Sequence, residues 1–255
     1  MSDRSIVRRV HTDSGALSLV IISYALSLIA LFIVNGIDIN ITRLMLVTGL
    51  VILNFISLIR VHLGLISRGG LHDYLVFLAN IAPYAVLLMY LGLWLLIPAI
   101  PLALFLMEVV RGRGRSALAN VSGTALIASS FIAWYVLMGG DLIGRVVIVS
   151  VLWVIYHAFS ALYVEGRLPF RRNLMPYYSS IFWFTLLPVL IYELYVIMGL
   201  ASLIIVAEPT VRALIAVKEG KLSAKDLRSK VRKMGMLLLI ESLAVGALII
   251  IFLYI

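Results

Sequence analysis

Residues 108–123, EVVRGRGRSALANVSG, decide the reading of this 255-residue chain. They set Arg111, Arg113 and Arg115 between two long apolar stretches, with Glu108 and Asn120 just inside the oily segments on either side. An arginine-bearing turn with polar groups a few residues away recurs at every second turn of the chain. That pattern belongs to a protein that crosses a bilayer repeatedly and keeps its cations on one side.

Composition agrees. The chain is 63% hydrophobic and 13% charged, with a mean hydropathy of +1.13. A soluble domain carries about 25% charged residues, and one core could not hide this apolar excess from water. With ~20 residues per span, nine helices leave only short connections. The expectation is a single transmembrane domain over 1–255, an all-α polytopic bundle in the cell membrane. No cysteine is present, which excludes disulfides, thiolate metal sites and thiol chemistry. The net charge of +9 follows from the positive-inside bias and needs no nucleic acid. The start, with Arg4, Arg8 and Arg9 before an apolar run, reads as a retained first span, because Gly15 to Val34 is too long for a signal peptide core.

The apolar segments fall at 15–35, 43–60, 73–90, 93–110, 116–138, 144–164, 176–198, 200–217 and 234–254, with two of the divisions placed near Gly92 and Gly199. Nine spans with a cytoplasmic N-terminus put 19 of the 21 Lys and Arg on one side, leaving only Arg43 and Arg145 on the other. Merging either divided pair would scramble the alternation, so the charges favour nine and place the C-terminus outside. The basic connection 212–233 carries Ser223 and Asp226 in capping-box spacing, which predicts that the last helix starts near 223 and continues into the ninth span. Prolines at 83, 98, 101, 188 and 209 lie in or beside spans, and each frees a carbonyl that must find another donor. The tyrosines at 156, 163, 177, 178, 192 and 195 and the tryptophans at 134, 153 and 183 read as an aromatic belt at the membrane surfaces.

The polar residues inside the spans are skewed. Asn54, Asn80, Glu108, Asn120, His157, Glu208 and Glu241 all fall within about 12 Å of the arginine-bearing side at 1.5 Å per residue, and Glu193 alone lies toward the other. An ionisable group in hydrocarbon costs ~2.5–3.5 kcal/mol or more and normally faces a partner or a wet cavity. The skew predicts a polar cavity open to the cytoplasm; pairing within a packed bundle, such as Glu108 with Arg111 or Arg115 and Glu208 with Arg212, is the competing explanation. His11, His62, His72 and His157 match no ligand spacing, so no metal or other cofactor is expected.

Some stretches resemble a known group. An early histidine before Gly15–Ala16, the Glu108–Arg111–Arg115–Ser116 turn with Gly123, and Tyr163–Val164 before Arg167 are similar to YwiC-like membrane proteins. So is Glu208-Pro-Thr-Val-Arg212 followed by Arg228, Arg232, Gly235 and Glu241. The nine-span plan also resembles the UbiA prenyltransferase superfamily. That superfamily holds magnesium and a prenyl diphosphate on aspartate-rich motifs near its second and sixth spans. Here those places read Asn54-Phe-Ile-Ser-Leu58 and Tyr156-His-Ala-Phe-Ser160, without aspartate. Magnesium needs hard oxygen ligands, usually carboxylates, so the resemblance implies a UbiA-like shape without magnesium-dependent prenyl transfer.

Three functions follow as expectations. The first is a cytoplasm-facing cavity binding an anionic lipid or isoprenoid-type ligand, with Arg111, Arg115, Arg167, Arg212 and Arg232 as the phosphate-binding groups. Glu108, Asn120, His157, Glu208 and Glu241 would then line the cavity or move protons, and no nucleophile for an enzyme is identified. The second is a proton-coupled secondary transporter with His157 and Glu241 as titrating groups and hinges at Pro188 and Pro209. The third is a non-catalytic subunit of a membrane complex.

Overall fold

The computed structural model describes residues 14–36, 40–67 and 70–255. Arg4, Arg8, Arg9, His11 and Arg68 lie outside the described residues, as do the side chains of Arg60 and His62. Among the described residues there are nine helical stretches long and apolar enough to cross a bilayer, and no strand. The chain is therefore an integral membrane protein built as an all-α polytopic bundle.

The helices are α1 (Ser14–Asn35), α2 (Ile41–Ser67), α3 (Leu71–Ile81), α4 (Leu96–Val110), α5 (Ala117–Leu137), α6 (Gly144–Arg167), α7 (Tyr177–Met198), α8 (Ala207–Lys218) and α9 (Leu227–Tyr254). Three of the spans change pitch. α3 continues as a 3-10 helix over Ala82–Met89, α4 is preceded by one over Gly92–Leu95, and α8 by one over Leu200–Val206. Both expected divisions are real, and each depends on a glycine with positive φ, +52° at Gly92 and +81° at Gly199. A residue with a Cβ adopts that backbone only under strain. Proline sets two of the pitch changes. Pro83 and Pro209 lack the amides that would bond the carbonyls four residues back, and the backbone tightens there. Pro188, by contrast, sits inside an unbroken α7.

Burial is uneven. The window crossing the bilayer in α6 is 72% buried and that in α5 is 50%, against 11% in α2 and 6% in the span that begins with α3. α5 packs on α1, α4 and α6, and α6 also on α7 and α9; α1 closes back onto α9. Small residues let these backbones approach. Ser23, Ser27 and Ala30 share one face of α1, where the Ser27 hydroxyl donates to the Phe131 carbonyl of α5 at 2.9 Å. The Trp153 indole of α6 donates to Ser23 Oγ at 3.1 Å. α2 and α3 form an outlying hairpin whose surface is Ile41, Met45, Leu46, Ile52, Leu53, Ile56, Leu71, Leu75 and Leu78, all exposed as a lipid-facing surface should be.

The connections gather by charge. Arg171 Nη2, in the α6–α7 connection, donates to the Arg115 carbonyl in the α4–α5 turn at 2.6 Å, and Lys221 of the α8–α9 connection reaches the same α6–α7 loop. This is the basic end of the bundle. At the opposite end the Asn35 amide of α1 donates to the Gly139 carbonyl after α5 at 3.2 Å.

Two expectations are corrected. Trp134, Trp153, Trp183, Tyr156 and Tyr163 are buried rather than set in a belt. Each indole donates inside the bundle, Trp134 to Tyr84, Trp153 to Ser23 and Trp183 to Thr210, so these rings hold helices together. Tyr177, Tyr178, Tyr192 and Tyr195 are exposed and keep the belt reading. The last helix starts at Leu227, not near 223, and Ser223 Oγ instead accepts from the Lys225 amide at 3.2 Å. Lys221 and the Leu222 amide are tied to the α6–α7 side, the latter to the Arg167 carbonyl at 2.8 Å. That tether draws the chain off a helical path until Asp226, whose φ is +57°.

Candidate functional site

The long arm of Arg212 reaches from α8 to two other helices. Its spacing from Glu208 is one helical turn, and Nε donates to Glu208 Oε1 at 3.0 Å, with a second, closer ion pair through Nη2. Nη1 donates to Ser160 Oγ of α6 at 3.0 Å and Nη2 to the Tyr156 hydroxyl at 3.2 Å. Glu241 of α9 closes the group, with Oε2 2.6 Å from Arg212 Nη2. That contact is an ion pair without aligned hydrogen-bond geometry. Glu208 Oε2 is buried and accepts no hydrogen bond from the described protein groups either. The guanidinium also lies over the rings of Tyr156 and Phe159, 5.4 and 5.6 Å from their centres. Only 7% of the Arg212 side chain is exposed, against 28% for Glu208 and 21% for Glu241.

His157 borders the group. Its Nε2 lies 3.3 Å from Ser242 Oγ, one residue beyond Glu241, and its ring packs edge-on against Trp153 and Tyr156 at 4.3 and 5.0 Å. At 1.5 Å per residue, Arg212 stands roughly 9 Å and Glu208 roughly 15 Å from the basic end of α8. The local sequence explains their placing. Pro209 lies in the first turn of α8, just after the 3-10 segment, and the Thr210 hydroxyl donates to the Val206 carbonyl at 2.6 Å. The Trp183 indole then braces Thr210 from α7 at 3.0 Å. The break thus orients the turn that carries Glu208 and Arg212.

A polar seam runs from this group to the basic end. α6 and α8 run in the same direction, and Tyr156, Ser160, Tyr163 and Arg167 fall on one face of α6, as Glu208, Arg212, Ala216 and Glu219 do along α8 and its end. Below Arg212 the Tyr163 hydroxyl donates to Glu219 Oε2 at 2.5 Å, and Arg167 Nη1 pairs with the same oxygen at 2.6 Å. Ala216, fully buried, fills the step between.

The other predicted residues are divided among separate networks. Glu108, buried at the end of α4, pairs with Arg113 at 2.5 Å and accepts from Ser116 Oγ at 2.7 Å; Arg111 is more distant at 3.8 Å. Asn120 donates to Glu165 Oε1 at 2.7 Å, while Glu165 Oε2 pairs with Arg171 at 2.5 Å. Arg115 is exposed and contributes its carbonyl to Arg171. Arg232 stands exposed on α9. The structure therefore unites His157, Glu208, Arg212 and Glu241, links Arg167 to them through the seam, and keeps Glu108, Asn120, Arg111, Arg115 and Arg232 apart. Tyr156, Ser160, Glu219 and Ser242 escaped the sequence reading. The signal for the first two was their four-residue spacing on one face of α6.

A neutral network joins the outlying hairpin to the bundle. The Asn54 amide donates to Asn80 Oδ1 at 2.9 Å and Ser57 Oγ to the same oxygen at 2.5 Å. The Tyr84 hydroxyl donates to Asn54 Oδ1, and Trp134 donates to Tyr84 at 2.7 Å. Among the described residues no three His, Asp or Glu side chains are grouped so as to hold a metal ion. No family model, no curated protein and no solved structure matches the chain.

Proposed function

We propose that this chain is a proton-coupled membrane carrier and that the Arg212–Glu208–Glu241 group is its proton site. One observation carries the reading: a single guanidinium faces two carboxylates from different helices inside the bundle. With His157 neutral the group has one negative charge in excess, and an uncompensated charge in hydrocarbon is costly. One proton balances it. Arg212 already spends its donors on Glu208, Ser160 and Tyr156, while Glu208 Oε2 has none. A group rich in acceptors suits a proton better than a phosphate. The broken α8 beside Glu208 matches the way carriers build sites from discontinuous helices.

The test has two parts. Infrared difference spectroscopy during a pH titration should reveal a protonated carboxyl that disappears in Glu241→Gln. Proteoliposomes holding a pH gradient, offered a panel of amino acids and small amines, should dissipate it for at least one solute, and Glu241→Gln should abolish that response. A spectrum without any titrating carboxyl sinks the proton site.

A second reading, an anionic lipid at the cytoplasmic rim, is favoured by α9. Ser229, Arg232 and Lys233 are exposed on the same stripe as Met236, Leu237, Ile240 and Leu243, so a basic face passes directly into an oily one. A phosphate headgroup with its chains laid along the helix fits that order, each cation being worth ~1 kcal/mol near an anionic surface. Exposed Arg111 and Arg115 lie on the same rim. The buried Arg212 and half-buried Arg167 are held by carboxylates and are poorer candidates for such a ligand. We propose with this reading that the chain shares the bundle shape of YwiC-like and UbiA-type proteins. Its two motif positions are engaged in the bundle, Asn54 and Ser57 with Asn80, Tyr156 and Ser160 with Arg212, which supports a bundle that does not run diphosphate chemistry there.

A further inference from the structure

We infer that the α6/α8 seam is the cytoplasmic access route to the Arg212 site and that Lys221 is the latch that keeps it shut. This rests on the carrier reading and names how its site is regulated. Lys221 Nζ lies 2.5 Å from the carbonyls of Arg171 and Leu174, 3.2 Å from that of Leu168 and 3.4 Å from that of Gly166. These carbonyls span the end of α6 and the α6–α7 connection, so one ammonium gathers that loop beneath the seam. The Leu222 amide adds a bond to the Arg167 carbonyl at 2.8 Å. The loop is fixed on its other flank by Arg171, which holds Glu165 and the Arg115 carbonyl. Lys221 is therefore the tie on the α8–α9 side.

The tie is suited to opening. An ammonium leaving four carbonyls for water exchanges one set of hydrogen bonds for another, so solvent returns part of what the tie contributes. Glu219, two residues before Lys221, holds Tyr163 and Arg167 across the seam. Moving this connection away from the α6–α7 loop draws Glu219 with it and uncovers the step at Ala216, directly below Arg212. The polar face of α6 at Tyr156, Ser160, Tyr163 and Arg167 then lines the way in. Local opening of this kind needs no loss of the bundle, because the helices that carry the core, α1, α5, α6 and α9, pack on one another independently of the latch.

The cysteine-free sequence makes the test direct. Ala216→Cys and, separately, Ser160→Cys are exposed to a membrane-impermeant maleimide from the basic-end side of vesicles, with and without Lys221→Met. Labelling at both positions should quicken at least about tenfold when Lys221 is replaced, because the opening free energy falls. Lys225→Cys, on the exposed connection, should label at one rate in both backgrounds, and buried Ala128→Cys should stay unlabelled in both. Unchanged rates at 216 and 160 overturn the latch, and so does a rise that extends to 128, which reports unfolding. The readout needs no transport. Faster labelling beside a silent pH-gradient assay would keep the gate and remove the carrier.

Discussion

Two of the polar networks within the helical spans of this protein are built on opposite terms. Around Arg212 three formal charges and four neutral polar side chains meet between α6, α8 and α9, in the part of the bundle where α6 is 72% buried. Around Asn54 and Asn80 the groups are all uncharged, and they tie on a hairpin whose windows are only 11% and 6% buried. An amide shared between two helices can serve as glue with lipid close by, since each partner satisfies the other. A charge cannot, and the charges are found where the protein encloses them. The contrast separates a neutral network close to lipid from a charged one enclosed by the bundle.

The sharpest way to break this comparison is Arg212→Met. It leaves Glu208 and Glu241 without their counter-ion, and stability should fall by ~3–5 kcal/mol, read as a lower unfolding midpoint in detergent; a loss as small as that of an amide variant would erase the distinction. Gly166→Ala should come next. A Cβ there would stand 2.8 Å from the Met175 carbonyl oxygen and the Pro176 Cα, which are backbone atoms unable to step aside. A cost of ~1–3 kcal/mol is expected, together with faster maleimide labelling of the Ala216→Cys variant in the latch assay, because the same loop is displaced. The smallest effect belongs to the neutral network. A double-mutant cycle of Asn54→Ala and Asn80→Ala should return a coupling of about 0.6 kcal/mol, and a coupling of several times that would put the hairpin's network in the same class as the charged one.

Much of the fold was legible in the residues. Hydropathy and arginine spacing give nine spans, and Gly92 and Gly199 mark the two divisions inside long apolar stretches because glycine takes a positive φ without the strain of a Cβ. The Glu208–Arg212 pair was also readable, being one helical turn apart. What the sequence withheld was everything set by the approach of distant helices. Glu241 reaches Arg212 from another helix, and nothing within α9 announces it. The tryptophans mislead for the same reason, since an indole near a span end suits the membrane surface and a buried acceptor equally well, and only the neighbouring helix decides. Local rules failed once more at Ser223, where capping-box spacing was overruled by the pull of Lys221 on the α6–α7 loop. The polar residues that the sequence sets toward one side are shared among several networks and not gathered in one chamber, and Glu208 stands deeper, roughly 15 Å from the basic end of α8, than its distance from Arg212 in sequence implied.

The fixed cation at position 212 has an electrical consequence. A guanidinium keeps its charge at any physiological pH, and it sits roughly a third of the way into the bilayer from the basic end, with Glu208 nearer to half. A proton travelling from that end to the carboxylates therefore crosses a third to a half of any transmembrane voltage. At ~2.3 kcal/mol per charge for 100 mV, this amounts to ~1 kcal/mol, so under the proposed proton-site reading an energised membrane would bias the occupancy of the carboxylates several-fold without moving a single helix.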